Sequence, residues 1–156
     1  MKTAQMLWMI PAFPLAAFLL NGLLGRRVFR NAAHWVALAG VGASVLLAYK
    51  VLFAVMGGEE LAETIYTWIA VGDFTVPLRL TADSLTAVML VVVTTVSFLV
   101  HWYSVGYMHG DGGYHRFFAY LSLFTFSMLM LVLAGNFLLL FVYHYIYILK
   151  DIDFFF

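Results

Sequence analysis

A predominantly apolar run extends through Leu85-Thr-Ala-Val-Met-Leu-Val-Val-Val-Thr-Thr-Val-Ser-Phe-Leu-Val-His-Trp-Tyr-Ser-Val-Gly-Tyr107 and contains no aspartate, glutamate, lysine or arginine. About 20 such residues, wound into a helix, span the ~30 Å hydrocarbon core of a lipid bilayer. The run is therefore predicted to be a transmembrane helix. Asp83 and Ser84 stand immediately before it and are the candidates for its N-cap, because both side chains can accept a hydrogen bond from a free backbone N–H.

Further apolar runs lie on both sides of this one. The predicted spans are Met6–Leu24, Ala33–Met56, Phe117–Leu133 and a fifth run that starts at Phe137 after the turn Gly135-Asn136. The first carries Pro11 and Pro14 in its first half, where a proline breaks fewer helical hydrogen bonds than at the centre. The second carries Gly40, Ser44 and Ala48 at four-residue spacing, a stripe of small residues where another helix can approach closely.

Composition supports this interpretation. Hydrophobic residues make up 65% of the 156-residue chain and charged residues only 10%, whereas a soluble domain is roughly half apolar and a quarter charged. The formal net charge is +0, so the sequence offers no basic surface for a nucleic-acid partner. Cysteine is absent, which excludes disulfides and thiolate-held metal or iron–sulfur cofactors on this chain.

A polar stretch, 57–83, separates the second and third predicted spans. Within it, Phe74, Val76, Leu78 and Leu80 alternate with other residues at period two, which is the pattern of a β-strand. The preceding segment Thr64–Ile69 is rich in β-branched and aromatic residues, and Gly72-Asp73 can form a two-residue turn between them. The sequence therefore predicts an all-α membrane protein with about five transmembrane helices and a short external β-hairpin between helices 2 and 3.

Loop charge predicts the orientation in the membrane. Positive residues are retained on the cytoplasmic side of bacterial membrane proteins. The loop after the first span carries Arg26, Arg27 and Arg30, and the loop after the third carries Arg116. The hairpin loop is acidic, with Glu59, Glu60, Glu63, Asp73 and Asp83 against Arg79. We therefore expect the N-terminus and the hairpin outside and the fifth run heading inward.

Few ionisable side chains fall within the spans. His101, in the third span, is a candidate for a proton path, because an intramembrane histidine is costly and titrates near neutral pH. The alternative is a neutral histidine that hydrogen-bonds a neighbouring helix. Asp83 is most simply a helix cap, with proton uptake as the weaker alternative. His101, His109, Asp111 and His115 lack the spacing of a metal site, so we expect no metal, no cofactor and no small-molecule site on this chain.

Several phrases of the sequence occur together and in order. They are Trp68-Ile-Ala-Val-Gly-Asp-Phe74, Asp83-Ser-Leu-Thr-Ala-Val-Met-Leu90, Val92-Val-Thr-Thr-Val-Ser-Phe-Leu-Val-His101, Tyr103-Ser-Val-Gly-Tyr-Met108, Gly113-Tyr-His-Arg-Phe-Phe-Ala-Tyr-Leu121 and Leu131-Val-Leu-Ala-Gly-Asn-Phe-Leu-Leu-Leu-Phe141. Together they closely resemble the N-terminal region of the L subunit, or chain 5, of proton-translocating NADH:quinone oxidoreductase, respiratory complex I. The large subunits of multisubunit cation/proton antiporters share this region less closely.

The resemblance implies an outward N-terminus, an external hairpin and helices that precede an antiporter-like bundle. It also implies that Asp83 and His101 match an aspartate and a histidine of the family. In the family, the run that corresponds to 136–142 continues into a glutamate that is a principal proton-channel residue. Tyr145 holds that place here, and tyrosine cannot act as a carboxylate relay. His144 is adjacent and titratable, but it would point about 100° away around a helix.

The last segment, 143–156, differs in composition from the rest of the chain. After Val142 the residues are only Tyr, His, Ile, Leu, Lys, Asp and Phe, whereas the preceding region is rich in Ala, Gly, Val and Leu. We therefore divide the chain into 1–142, a transmembrane region of the L-subunit type, and 143–156, a divergent tail. We expect the tail to arise from a frameshift, an insertion or a joined gene model.

The resemblance implies a function in the proton-pumping arm of complex I, without the main channel residues and without catalytic chemistry on this chain alone. The expected partners are the lipid bilayer and other membrane subunits of complex I, and the expected location is the bacterial plasma membrane, crossed several times. Two alternatives stay open. One is a fragment of a multisubunit cation/proton antiporter, and the other is a small membrane protein with a structural or assembly role.

Overall fold

The computed structural model describes residues 6–24, 32–58, 61–71, 74–110 and 112–134, and within them the chain forms four α-helices and a two-stranded sheet. The elements in chain order are α1 (Met9–Leu24), α2 (Ala33–Met56), β1 (Leu61–Val71), β2 (Phe74–Ala82), α3 (Ser84–Tyr107) and α4 (Tyr114–Leu133). The predicted combination of apolar helices with one β-hairpin between the second and third helix is confirmed.

The predicted count of five transmembrane helices is not confirmed. In the described ranges, α2, α3 and α4 are long and apolar enough to cross a membrane. The first helix has 16 residues, which at 1.5 Å per residue is about 24 Å and shorter than the hydrocarbon core. It begins at Met9, three residues after the predicted start. The fifth predicted run, from Phe137, lies outside the described residues.

The helices alternate in direction. One core cluster contains residues from the start of α1, the end of α2, the start of α3 and the end of α4. Its members include Leu7, Ile10, Ala48, Val51, Ala87, Leu90, Leu129 and Leu133. The base of the hairpin joins the same cluster through Leu61, Leu80 and Ala82. We call this the hairpin end of the bundle, and the end where α2 and α4 begin the opposite end.

The hairpin is antiparallel, as the alternating pattern predicted. Leu61 pairs with Ala82 at its base and Val71 with Phe74 at its tip, so two residues connect the strands. At the base, Leu80 forms a further antiparallel bridge to Ala134, directly after α4. The hairpin is therefore fixed to the bundle by its core side chains and by backbone pairing with the end of α4.

α1 and α2 approach each other closely along the predicted stripe of small residues. A Cβ added at Gly40 would lie 3.0 Å from the Phe13 carbonyl oxygen and 3.0 Å from Ala17 Cβ. Ser44 and Ala48, one and two turns further along α2, are fully buried. The stripe therefore has the role that its spacing predicted, because only small side chains let the two backbones come this near.

A proline and a serine complement each other within this contact. Pro14 has no backbone N–H, so the Ile10 carbonyl one turn earlier lacks its usual helical donor. The Ser44 hydroxyl of α2 donates a 2.7 Å hydrogen bond to that carbonyl oxygen, and lies farther, 3.3 Å, from Gly40 O on its own helix. α2 thus supplies the hydrogen bond that Pro14 removes from α1.

The outer surface of the bundle is apolar. Large hydrophobic side chains stand exposed along α2 and α3, among them Leu46, Phe53, Val92, Val96 and Leu99. Water would meet this continuous apolar surface at a large free-energy cost, whereas lipid chains cover it favourably. The exposed face and the helix lengths together place the bundle in a lipid bilayer.

We expect Ser44→Ala to lower the free energy of unfolding by about 1–2 kcal/mol, because it leaves the Ile10 carbonyl without a donor in a buried contact. In a Pro14→Ala background the same change should cost less than half as much, since residue 14 then has an N–H that can pair with Ile10. Denaturation in mixed detergent micelles, followed by circular dichroism, measures both changes in the free energy of unfolding.

Ser127→Ala is the control, because the Ser127 hydroxyl donates to Leu123 O of its own helix. Equal costs of Ser44→Ala in both backgrounds would contradict the complementarity.

Gly40→Ala should lower the free energy of unfolding by about 1–3 kcal/mol, since the added methyl group meets the α1 backbone and must push the helices apart. Gly106→Ala serves as its control. No atom lies within 4 Å of a Cβ added there, so this change should be neutral or stabilise α3 by up to ~1 kcal/mol through helix propensity. The same denaturation assay compares the two variants, and indistinguishable effects would mean that helix approach at Gly40 is not limiting.

Candidate functional site

One face of α3 is buried along its whole length, and its chemistry changes from one end to the other. Its buried residues follow the 3-4 spacing of a single helix face, in the order Ala87, Leu90, Thr94, His101 and Ser104. The two residues nearest the hairpin end are apolar, whereas Thr94 near the middle of α3, His101 and Ser104 are polar. α4 buries Ser122, Thr125 and Ser127 near the middle of its length. The interior therefore contains a group of polar side chains in the middle of the bundle and toward the opposite end, among apolar neighbours such as Phe118 and Ala119.

The hydroxyl groups of this interior are satisfied locally. Thr94, Ser104 and Thr125 each donate to the carbonyl four residues earlier on their own helix, at 2.7, 2.7 and 3.0 Å. Such bonds remove the cost of burying a hydroxyl and bend helices slightly. These residues therefore need no ligand to explain their burial.

His101 differs from these hydroxyl groups because its two ring nitrogens face two helices. Its side chain is fully buried. Nδ1 lies 2.7 Å from Ser97 O on α3, and Nε2 lies 3.5 Å from Ser122 Oγ on α4. A carbonyl oxygen can only accept, so Nδ1 carries the hydrogen and donates it to Ser97 O. In the neutral ring, Nε2 then holds a lone pair that faces Ser122.

Aromatic rings enclose His101 on the side of α4. Its ring centroid lies 6.2 Å from that of Phe118, which is itself fully buried. Phe118 also contacts the rings of Tyr114, at 4.9 Å, and of His34 on α2, at 6.4 Å. This cluster of rings explains why the aromatic residues at the start of α4 are packing residues and why water is kept from His101.

Asp83 caps α3, as the sequence predicted. Its Oδ1 accepts a 2.7 Å hydrogen bond from the Thr86 N–H, the usual geometry of an N-cap aspartate. That backbone hydrogen bond holds the pKa of the exposed Asp83 carboxyl below its ordinary value. The carboxylate is therefore retained in its charged form, which also favours the positive N-terminal end of the helix dipole.

The structure does not bring the predicted site residues together. Asp83 and His101 lie 18 residues apart on the same helix, about 27 Å along its axis. His144 lies outside the described residues. Among the side chains that the structure does describe, no group of three His, Cys, Asp or Glu could hold a metal ion. Among the described residues that are buried, His101 is the ionisable one.

Sequence reasoning missed two residues of this interior. Ser122 was not singled out, although its contact with His101 links α3 to α4. Asn21 is fully buried, and its Nδ2 donates a 3.1 Å hydrogen bond to the Ala33 carbonyl where α2 begins. The signal for Ser122 was indirect: Thr94, Ser97, His101 and Ser104 recur at 3-4-3 spacing, which predicts a polar helix face that needs a polar partner.

The aromatic residues at the end of α3 line a separate groove. It has a volume of about 700 Å³ and lies between α2 and α3 at the opposite end of the bundle, bounded by Trp35, Trp102, Tyr103 and Tyr107 among others. These four side chains are exposed on the outer surface. Tryptophan and tyrosine concentrate where a helix leaves the hydrocarbon core, so the groove is part of an interface belt and is distinct from the interior around His101.

Apolar helices that alternate in direction, with a hairpin at one end and polar side chains buried between the helices, define the class of this chain as a multi-span α-helical membrane protein. A family model described as NADH-Ubiquinone oxidoreductase (complex I), chain 5 N-terminus matches residues 68–118. The matched segment contains β2, all of α3 and the first residues of α4. The resemblance predicted from the sequence is thereby confirmed.

Individual relatives give the same result. The chain is 45% identical over 135 residues to NADH-quinone oxidoreductase subunit L of Neisseria meningitidis serogroup A, which is 85% of this chain and 20% of that protein. It is 44% identical over 146 residues to NAD(P)H-quinone oxidoreductase subunit 5, chloroplastic, of Mesostigma viride, covering 90% of this chain and 22% of the relative. It is 40% identical over 139 residues to subunit L of Escherichia coli, covering 88% of this chain and 23% of that protein.

The chain is thus related to NADH-quinone oxidoreductase subunit L, or chain 5, over most of its length. It spans about a fifth of the length of these relatives. The family model covers the end of β1, all of β2 and the buried face of α3, so the relationship covers the part of the fold that carries the candidate site.

We expect Asp83→Ala to lower the free energy of unfolding by about 1 kcal/mol at neutral pH, because the Thr86 N–H loses its acceptor. Asp83→Asn should cost less, since its side-chain oxygen can still cap the helix. The pKa of Asp83 is lower in the folded state, so the stabilisation by its charge is present above the unfolded value and disappears as pH falls through the folded value. Denaturation curves across acidic pH measure this, and an Asp83→Asn variant with the same acid dependence as the original chain would exclude it.

Proposed function

We propose that this chain supplies N-terminal transmembrane helices to the proton-pumping membrane arm of an NADH:quinone oxidoreductase. The observation that carries the proposal is the match of residues 68–118 to the chain 5 family, together with a structure in which that segment holds the buried face of α3. The segment forms contacts with both neighbouring helices, since α3 packs against α2 and α4.

Within this function, His101 is the proposed contribution of the chain to proton handling. It is fully buried, titratable and in contact with a second helix, which are the properties expected of an intramembrane proton carrier. Asp83 is a weaker candidate, because its hydrogen bond to Thr86 already accounts for it as a cap. His144, in the divergent tail 143–156, completes the candidates that the sequence offers.

The remaining features of the proposal concern topology and partners. We propose five crossings, with α1 as the first and a fifth span from Phe137. The loop charges support an outward N-terminus in a bacterial plasma membrane. The exposed apolar faces of α2 and α3 supply surface for lipid and for other membrane subunits of the complex. We propose that the redox cofactors and the principal channel residues reside elsewhere in the assembly.

A native gel tests this function. The 156-residue chain is expressed with an affinity tag in its native host, and the membrane complexes of that host are separated on the gel. We expect the chain to migrate with a large respiratory complex, and mass spectrometry of that band should find other subunits of an NADH:quinone oxidoreductase. The Gly40→Leu variant is a matched control, because breaking the α1–α2 contact should reduce incorporation while leaving the exposed faces intact.

The other outcomes of the same gel would overturn the proposal. Migration with small subunits of a cation/proton antiporter would assign the chain to that gradient-driven class. A stable band of the chain by itself, with no larger partner, would assign it to the small structural or assembly proteins. The gel is loaded with membrane extracts that contain equal amounts of the tagged chain and of the Gly40→Leu variant, so a difference in incorporation does not come from a difference in expression.

A further inference from the structure

When the His101 ring is neutral, the ring and the Ser122 hydroxyl together have two polar hydrogens for three polar contacts. Three contacts lie in one row: Nδ1 to Ser97 O at 2.7 Å, Nε2 to Ser122 Oγ at 3.5 Å, and Ser122 Oγ to Phe118 O at 2.8 Å. Both carbonyl oxygens can only accept, so the ring donates one hydrogen to Ser97 O and the hydroxyl donates its hydrogen to Phe118 O. No hydrogen is left for the contact between Nε2 and Oγ.

The long middle distance agrees with this count. A hydrogen bond between a nitrogen and an oxygen has a heavy-atom separation of about 2.7–3.2 Å, whereas Nε2 and Ser122 Oγ are 3.5 Å apart. The two flanking bonds are of ordinary length. Each of the two flanking contacts therefore has a hydrogen, whereas the middle contact, between Nε2 on α3 and Ser122 Oγ on α4, has none.

We propose that His101 and Ser122 form a proton-binding site between α3 and α4, in which Nε2 takes up a proton and donates the resulting N–H to Ser122 Oγ. The proton comes from water, the ring becomes an imidazolium, and Ser122 keeps its own hydrogen bond to Phe118 O. The row then has a hydrogen for each of its three contacts. This site deepens the proposed function by giving the N-terminal helices a defined proton acceptor.

The neutral site has an alternative that makes it reversible. The Ser122 hydroxyl can rotate and donate to Nε2, because the Phe118 carbonyl also has the Ser122 N–H of the helix as a donor. Proton uptake turns the hydroxyl back toward Phe118, and proton loss releases it. Both states need only a hydroxyl rotation and a small change in the α3–α4 distance, so the site can cycle without unfolding.

Two titratable side chains of neighbouring helices lie beside the ring cluster around His101. From α2, His34 contacts Phe118, and from α4, Tyr114 contacts the same ring, so these two are the titratable groups that approach His101 from its neighbours. Arg116, on the first turn of α4, is exposed. Asp83 is about 27 Å away on the same helix. Among the described side chains, none that contacts His101 is a carboxylate.

Two features of the position of His101 bear on proton uptake. The Phe118 ring lies beside the imidazole, with the two ring centroids 6.2 Å apart and the ring planes tilted by 47°. His101 lies six residues before the end of α3, which places it about 9 Å from that end of the helix. A proton from the aqueous phase at the opposite end therefore has a short distance to cover.

Nitrogen NMR of the whole chain, labelled with ¹⁵N-histidine and reconstituted in lipid nanodiscs, tests the site. The chain has 5 histidines, and a His101→Asn variant assigns the signals of His101. At high pH we expect Nδ1 protonated and Nε2 bare. On acidification Nε2 should gain a hydrogen while far-UV circular dichroism stays constant.

Ser122→Ala should lower the ratio of protonated to neutral ring about tenfold at a given pH, because the imidazolium loses an acceptor of the strength usual for charged groups. Ser122→Thr keeps a hydroxyl and should restore the ratio. Ser127→Ala, whose hydroxyl bonds Leu123 O, should leave it unchanged. A neutral ring with the hydrogen on Nε2, a ring that stays neutral while the bundle is folded, or equal ratios in the Ser122 variants would each overturn the site. These outcomes concern the chain alone, so the site can fail while assembly into a respiratory complex stands.

Discussion

The arrangement of this bundle depends on the requirement that every backbone polar group within the hydrocarbon core has a partner. Pro14 violates that requirement in α1, and the Ser44 hydroxyl of α2 satisfies it again at 2.7 Å. Ser44 can reach the Ile10 carbonyl because Gly40, one turn earlier on α2, lets the backbones of α1 and α2 come close. The relative position of α1 and α2 is thus set by a polar contact of one hydroxyl, with small residues on both sides of it.

A second consequence of the lipid environment is the division of the interior. The hairpin end is filled by aliphatic side chains from all four helices and both strands, whereas buried hydroxyl groups, His101 and Asn21 lie in the middle of the bundle and toward the opposite end, beside apolar residues such as Val41 and Phe118. The hydrophobic effect gives little net drive for helix association in lipid, because the lipid tails are as apolar as leucine, so close packing and hydrogen bonds between helices supply it. The contact of His101 with Ser122 therefore helps to determine how α3 meets α4, and the buried aliphatic side chains fix the hairpin.

The sequence was sufficient for the features that depend on local pattern. α2 was predicted over its full extent, and Asp83 was predicted as the cap of α3, because a long apolar run and a capping side chain are both local signals. α4 begins three residues before its predicted start, since Tyr114, His115 and Arg116 continue the helix beyond the apolar run. α1 is shorter than predicted because the apolar run of the sequence extends beyond the helical backbone.

The partner of the Ile10 carbonyl and the contact of His101 with Ser122 could not be predicted, because each joins residues from different helices. The sequence indicated that both groups needed partners but contained no signal for which residue would supply them.

The bridge between Leu80 and Ala134 has a consequence for the order in which the protein is made. A chain inserted from its N-terminus exposes the hairpin before α3 and α4 have been synthesised. The base of the hairpin then lacks its backbone partner and its neighbours Leu129 and Leu133 until α4 has crossed the bilayer. Closing such a distant contact is slow relative to forming the helices themselves. Until α4 arrives, the strand edge at Leu80 is open to pairing with other chains, so α4 protects the nascent protein from aggregation at the membrane surface.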